Sequence, residues 1–388
     1  QEADGQQGDG QRVTHGPMLR AMRGRAWLWA QCAVAAWAAS TGCRRSAPPP
    51  DAAPPPDQGV PAVLADLPAP APRGPGFRRG VSLGLFVSNP DPEYRRMLYG
   101  QMLDEIVAVG ATDLQLVVRW SQADVRASAV ARDPARTAPD ALLTWVMDAA
   151  KARALRVFLM PIVHVERRTM GEWRGALAPA DLDAWWRTYT AFILHYARLA
   201  QAHGAHLFAV GSELGSQERH KARWAALIQA VRGVFKGQLT YSANWDHFEP
   251  VPFWDLLDVV GVTAYVKLAD GPDPDDATLD RGWRGFRQQL RRLAIRTGKP
   301  YLLTEVSYPA HPAGAQRPWD YRPTGRPDPA LQARCYRSLY RTWHADERLA
   351  GLYIWNWFGV GGPNDRGYSP RDRAAAQVLR RWYTESTP

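Results

Sequence analysis

From about residue 80 the chain alternates short apolar or β-branched runs with longer stretches at helical period. The runs are VSLGLFV (81–87), LQLVVRW (114–120), RVFLMPIV (156–163), HLFAVGS (206–212), QLTYSANW (238–245), LDVVGVTAY (257–265), PYLLTEVSY (300–308) and GLYIWNW (351–357). Each reads as a buried strand. The stretches between them are amphipathic. EYRRMLYGQMLDEIVAVG and ADLDAWWRTYTAFILHYARLAQAHG are the clearest, and the second ends in a glycine that can close a helix. Repeated strand–helix pairs are the signature of a parallel α/β fold. Eight pairs in roughly 310 residues predict a (β/α)8 TIM barrel occupying 77–388 as a single domain. A doubly wound open sheet has fewer strands and a Gly-rich first turn, and neither feature is present.

The pattern changes upstream. Residues 1–17 are polar and Gly-rich and read as an upstream extension before Met18. Residues 18–42 read as a signal peptide of the lipoprotein type. A basic stretch, MLRAMRGR, precedes AWLWAQCAVAAWAAS, which is too short to span a membrane comfortably. Ser40-Thr41-Gly42 then lead into Cys43, as in the lipobox of bacterial lipoproteins, where cleavage leaves a lipidated cysteine. An ordinary signal peptide or an uncleaved anchor is the alternative. Residues 43–76 are Pro-rich and favour extended segments, so they read as a linker that lifts the domain off a membrane. The expected location is outside the cytoplasm, anchored to a membrane and facing periplasm or cell exterior. Processing at Cys43 would leave Cys335 as the single thiol, with no internal disulfide.

The net charge of +10 raises the question of nucleic acid. The basic residues are nearly all arginine and are interspersed with acids, as on the solvated face of RQQLRRLAIR. There is no zinc-type Cys/His spacing, Gly-rich phosphate loop or RNA-binding aromatic signature. Neither metal nor organic cofactor is expected, nor a nucleic-acid or obligate protein partner.

Active-site residues of a TIM barrel collect at the C-terminal ends of its strands. Two glutamates stand there: Glu213 closes run four and Glu305 run seven. Paired carboxyls are the minimal apparatus for cleaving a glycosidic bond. Other run ends are polar or aromatic: Arg119 and Trp120 on run two, His164 on run three, Ser212 on run four, and Asn244 and Trp245 on run five. Tyr265 ends run six, and Trp355, Asn356 and Trp357 end run eight. Indoles beside carboxylates and amides suit sugar rings, which stack their C–H faces and hydrogen-bond their hydroxyls. A carbohydrate is therefore the expected partner.

Taken in order, the motifs GVSLGLF, GEWRGALAP, WWRTYTAFILHYARLA, VGSEL, YSANWD, DVVGVTAY, LLTEVSY and WNWFGVGGPNDRGYSP, which cover 80–375, resemble glycoside hydrolase family 113. That family belongs to a clan of retaining (β/α)8 glycosidases. The resemblance implies a β-mannanase-like hydrolase acting on β-1,4-linked mannose chains by double displacement. It also implies Glu213 as acid/base and Glu305 as nucleophile. Tyr265 and Arg119 are the candidates to keep Glu305 ionised. Three positions depart from the pattern. Ser212 replaces an Asn common in the clan, Lys267 follows Tyr265 where an aromatic and a proline are expected, and Arg119 is unusual on run two. Two extra cations would suit a substrate bearing carboxylates; the other reading has Arg119 orient Glu305 and Lys267 face solvent. A β-glycanase on glucan or acidic polysaccharide, or a polysaccharide-binding lipoprotein without catalysis, are the rival functions.

Trp145, Trp185, Trp186, Trp224, Trp343 and Trp382 lie on helical segments and read as packing. Trp173 sits in a Gly-rich loop and is a candidate to stack on sugar. The long loop 309–328, with His311, Trp319 and Tyr321, reads as a cleft wall. Asp365 either binds a sugar hydroxyl or caps the turn before the last helix.

Overall fold

A computed structural model of the chain describes residues 61–86, 88–321 and 325–386. Eight parallel strands close a barrel in sequence order. They are β1 (Arg78–Gly84), β2 (Asp113–Gln122), β3 (Arg156–Val165), β4 (Leu207–Ser212), β5 (Gln238–Ala243), β6 (Val260–Thr263), β7 (Tyr301–Val306) and β8 (Leu349–Ile354). Each falls on one of the eight runs. The helices are α1 (Pro92–Ala108), α2 (Asp140–Lys151), α3 (Leu182–Ala202), α4 (Gly215–Glu218), α5 (Lys221–Val234), α6 (Asp276–Gly282), α7 (Arg284–Thr297), α8 (Pro329–Trp343) and α9 (Ala374–Glu385).

Local signals set these boundaries. The carboxylates of Asp91, Asp181 and Asp328 accept first-turn amides of α1, α3 and α8, the ordinary N-cap bond. Just past α3, Gly204 takes φ +67°, as expected of a residue that ends a helix.

Strand alternation divides the core in two. Val117, Phe158, Met160, Leu207, Ala209, Leu302 and Tyr353 fill the barrel's inside. The opposite faces pack against the helices in a larger cluster that contains Trp185, Trp186, Trp224, Trp343 and Trp382, with Trp145 packed on it. The inside also holds a polar layer. Gln115 Nε2 donates to the Thr304 carbonyl at 2.9 Å, and the hydroxyls of Ser242 and Thr304 meet at 2.6 Å. These bonds satisfy polar groups directly beneath Glu305.

The linker boundary expected at 76 needs correction. Residues 61–76 dock on the barrel's outer layer. Arg337 donates to the carbonyls of Val63 and Ala65, Arg381 to that of Leu64, and Arg73 to those of Trp343 and Asp346. The carbonyls at the end of the short 3₁₀ turn Ala62–Leu64 and at Ala65 need donors, and arginines of α8 and α9 supply them. Cys335 is buried on α8, and burial pushes its thiol far above the usual range. Cys43 and the segment 1–60 lie outside the described residues. Among the described residues, no helix is long and apolar enough to cross a membrane.

Candidate active site

The barrel's C-terminal mouth opens into a cavity of about 860 Å³. Both glutamates line it, and both are nearly buried. Glu213 follows β4 directly. Glu305 lies within β7, where its carbonyl accepts the Ala264 amide at 2.7 Å. Around them stand His164, Trp173, Asn244, Trp245, Tyr265, Trp319 and Trp355. Tyr321 adds to the wall from the loop after β7.

Two contacts define the electrostatics. The Tyr265 hydroxyl donates to Glu305 Oε2 at 2.8 Å. Arg174 Nη2 pairs with Glu213 Oε2 at 2.5 Å. Burial pushes Glu305 up to about 8, and the charge of Glu213 adds to that. The Arg174 guanidinium and the Tyr265 hydroxyl oppose it. With Glu213 charged, Glu305 therefore favours its protonated form. His164 is pushed down to about 4, first by burial and then by the charges of Arg119 and Arg168. It is a neutral imidazole at working pH.

Not every expected residue faces the cavity. Arg119 does not reach Glu305; it lies over the Phe86 ring at 5.1 Å and donates to the Arg136 carbonyl. Trp120 is one residue out of phase along β2. It points outward onto Phe192 of α3, with ring centroids 5.1 Å apart. Ser212 is buried, and its hydroxyl has no hydrogen-bond partner. Trp357 donates to Glu105 of α1 at 2.8 Å. Asp365 braces its own loop by accepting the amides of Gly361 and Gly367. Lys267 pairs with Asp270 outside the cavity, and His311 is buried within its loop.

Arg174 is the residue that sequence reading passed over. It sits in GEWRGAL beside Trp173, in a short turn (Arg174–Ala176). Gly175 makes that turn possible. A Cβ there would lie 2.3 Å from the Trp173 ring, so a larger residue would have to displace the indole that folds over this backbone. Phe86, Arg168, Asp246 and Tyr368 complete the lining. Arg168 reaches across to the Tyr321 hydroxyl at 3.0 Å, which links the loops after β3 and β7. Trp245 and Trp319 stack at 5.4 Å and 17°, linking the loops after β5 and β7. Among the described residues, no group of three or more His, Cys, Asp or Glu is placed to hold a metal ion.

Buried paired carboxyls under an aromatic rim are the arrangement of a sugar-cleaving barrel, and comparison with known proteins decides which one. The model of glycoside hydrolase family 113 matches residues 88–368. The chain belongs to that family. A family 113 β-mannanase from Alicyclobacillus acidocaldarius, solved in complex with ManMIm, is 25% identical. It superposes with a TM-score of 0.71, covering 80% of this chain and 97% of its own. A family 113 β-1,4-mannanase structure is 21% identical with a TM-score of 0.71, covering 79% and 98%. A β-glucuronidase from Faecalibacterium prausnitzii shares the fold at 14% identity and a TM-score of 0.54, covering 79% of this chain and 48% of its own. No curated protein matches. As a family 113 member, this protein is a glycoside hydrolase acting on carbohydrate, and its strands form the expected TIM barrel.

Proposed function

We propose that this glycoside hydrolase cleaves β-1,4-linked mannan with retention of configuration, Glu305 acting as nucleophile and Glu213 as acid/base. The observation that carries the reading is the pair itself: two buried glutamates on β4 and β7 in one aromatic-lined cavity, one of them held by a tyrosine. Similarity to family 113 mannanases supports the substrate. Arg119 and Lys267, the cations that the sequence offered to an acidic polymer, stand outside the cavity, and of the two arginines that line it Arg174 is paired with Glu213.

Double displacement needs one proton on the pair. The attacking carboxyl must be ionised and the other protonated. Arg174 sits on Glu213, and burial beside that carboxylate favours the proton on Glu305. The reaction requires the reverse bias, which a turn of the guanidinium from Glu213 to Glu305 would supply. Tyr265 then donates to an ionised nucleophile, and Glu213 protonates the leaving oxygen. Once Glu305 becomes a neutral ester, Glu213 loses a negative neighbour and can accept a proton from water. The neutral imidazole of His164, the Asn244 amide and the indoles of Trp173, Trp245 and Trp355 supply hydrogen bonds and stacking surface to the sugar.

A panel of β-linked polysaccharides, with products resolved by mass and the first-formed anomer read by NMR, tests this. Manno-oligosaccharides released first as the β-anomer are expected. Preference for glucan or a uronic-acid polymer would overturn the substrate, and an α-anomer formed first would overturn the mechanism. The same reading includes a lipid anchor at Cys43, supported by the Ser-Thr-Gly triplet before it and the Pro-rich segment after it. Cys43→Ala is expected to release the protein from membranes; unchanged fractionation would sink the anchor.

A further inference from the structure

Glu213 has φ +53°, a conformation that disfavours residues carrying a Cβ. Strand β5 holds it there. The Ser242 carbonyl accepts the Glu213 amide at 2.8 Å. The Tyr241 hydroxyl accepts the Leu214 amide at 2.7 Å. That hydroxyl in turn donates to Glu218 Oε1, also at 2.7 Å. Trp224 and Phe253 wedge the Tyr241 ring at 5.2 and 5.3 Å, so it has no room to swing. Glu218, the last residue of α4, is buried at 3% exposure, and its Oε2 has no hydrogen-bond partner. Neither Tyr241 nor Glu218 lines the cavity.

Bracing the Leu214 amide requires an acceptor, and the tyrosine supplies it. A buried carboxyl behind that tyrosine, with one oxygen that has no hydrogen bond, is costly to keep. We propose that Tyr241 and Glu218 are positioning residues for Glu213. The chain from Glu218 through Tyr241 to the Leu214 amide fixes the turn that aims the acid/base into the cleft, and the charge on Glu218 biases protonation of the catalytic pair. The proposal rests on Glu213 being the acid/base.

Tyr241 from β5 and His247 from the loop after β5 stand against Glu218, and Asp246 from that loop and Glu213 from the end of β4 act on it through their charges. His247 Nε2 stands 3.6 Å from Oε2. Burial pushes Glu218 up to about 7; the Tyr241 hydroxyl opposes this, and the charges of Asp246 and Glu213 add to it. Once ionised, Glu218 accepts more strongly from Tyr241 and polarises that hydroxyl towards the Leu214 amide. Its negative charge also helps the nearby pair keep its proton.

Two variants and one titration test this. Tyr241→Phe removes the acceptor. Its kcat/KM on mannan is expected to fall on the order of 10²-fold, the scale of a misplaced catalytic group. A dinitrophenyl β-mannoside needs little proton donation and should lose far less. Glu218→Gln keeps size and acceptor but removes charge. Its alkaline limb is expected about half a pH unit lower, roughly a threefold change in proton affinity. Carboxyl ¹³C NMR reads the coupling without turnover: in Glu213→Gln, the Glu218 midpoint should drop below that of the parent. If the parent cleaves no β-mannoside, the substrate reading fails while the titration still decides the coupling. If the parent is active but both variants lose equally on the two substrates, with limb and midpoint unmoved, the positioning role is overturned.

Discussion

Strand β7 has a buried carboxyl held by a tyrosine at each end, and the two behave oppositely. At the N-terminal end, the Tyr301 hydroxyl donates to Asp346 at 2.6 Å. Arg287 reaches it at 2.7 Å, Arg291 at 3.3 Å and the Arg348 amide at 3.1 Å. Burial alone would raise Asp346, but these donors outweigh it and hold the carboxyl below its ordinary range. At the C-terminal end, Glu305 has an equivalent tyrosine bond from Tyr265, yet it is pushed up to about 8. Burial is common to both ends; the charge count differs. Two guanidiniums serve the one carboxylate of Asp346, whereas the single guanidinium of Arg174 serves both Glu305 and Glu213. A settled charge stabilises the barrel, and an unsettled proton is available for chemistry.

Removing the glutamates at the C-terminal end gives the largest expected effect. Glu305→Ala should abolish the first step, and added azide should restore turnover with inverted product. Glu213→Ala should act mainly on substrates with good leaving groups, and azide should then give a retained glycosyl azide. Each loss is expected to be at least about 10²-fold in rate. Near-parental activity of both variants on a substrate that the parent cleaves would show that the pair is not catalytic.

The same strand gives a stability test in which the two ends should move in opposite directions. Asp346 has a depressed folded value, so its contribution is present above the ordinary carboxylate range and is lost as acid protonates it. Asp346→Asn is expected to destabilise at neutral pH on the order of 3 kcal/mol, the scale for breaking a buried ion pair. The effect should fade in acid. Glu305 has a raised folded value, from 4.5 to about 8. Its cost begins above 4.5 and grows as pH approaches 8. Glu305→Gln should therefore raise the thermal midpoint in mildly alkaline buffer and leave it unchanged below pH 4 or so. Equal shifts in both variants at every pH would remove the contrast.

What could be read from the sequence follows the same division. All eight strands were legible because strands buried under helices must be apolar throughout. Glu213 and Glu305 were legible because a carboxyl ending such a run has no packing role. Trp120 was misassigned because the end of a run does not reveal which face a side chain takes; strand phase put it outward. Arg119 was selected and Arg174 missed for a related reason. The chain has 48 lysines and arginines, and the one that reaches Glu213 comes from a loop whose path depends on Gly175 and Trp173. Trp357 and Asp365 look like site residues by type, but their partners, Glu105 and the amides of Gly361 and Gly367, are visible only in three dimensions. Glu218 carried no signal, since a glutamate in a short helical segment ordinarily faces solvent.

Arg174→Gln changes the charge count directly and sharpens the comparison. The guanidinium now lowers the proton affinity of Glu305. Without it, two carboxyls remain with no cation, and the pair should keep its proton to higher pH. The alkaline limb of kcat/KM is therefore expected to move upward, with reduced activity on the acid side where Glu305 stays protonated. A limb that stays in place or moves down would mean that Arg174 serves the substrate and not the pair.

The smallest expected effect lies at the rim, on the loop that follows β7 beyond Glu305. Trp319 is 44% exposed and stacks on Trp245, so little of the core depends on it. The stacked pair offers an indole face to the cavity at a distance from the proton inventory that sets the chemistry. Trp319→Ala should therefore weaken binding by the worth of one aromatic stack, about 0.5–1.5 kcal/mol. That corresponds to roughly a two- to tenfold rise in KM on mannan. Its kcat, thermal midpoint and alkaline limb should match the parent. Because Tyr265 and Arg174 are untouched, an altered limb would show that the β7 loop reaches the catalytic pair. A fall in kcat at constant KM would show that the loop positions the reacting sugar instead of gripping the chain.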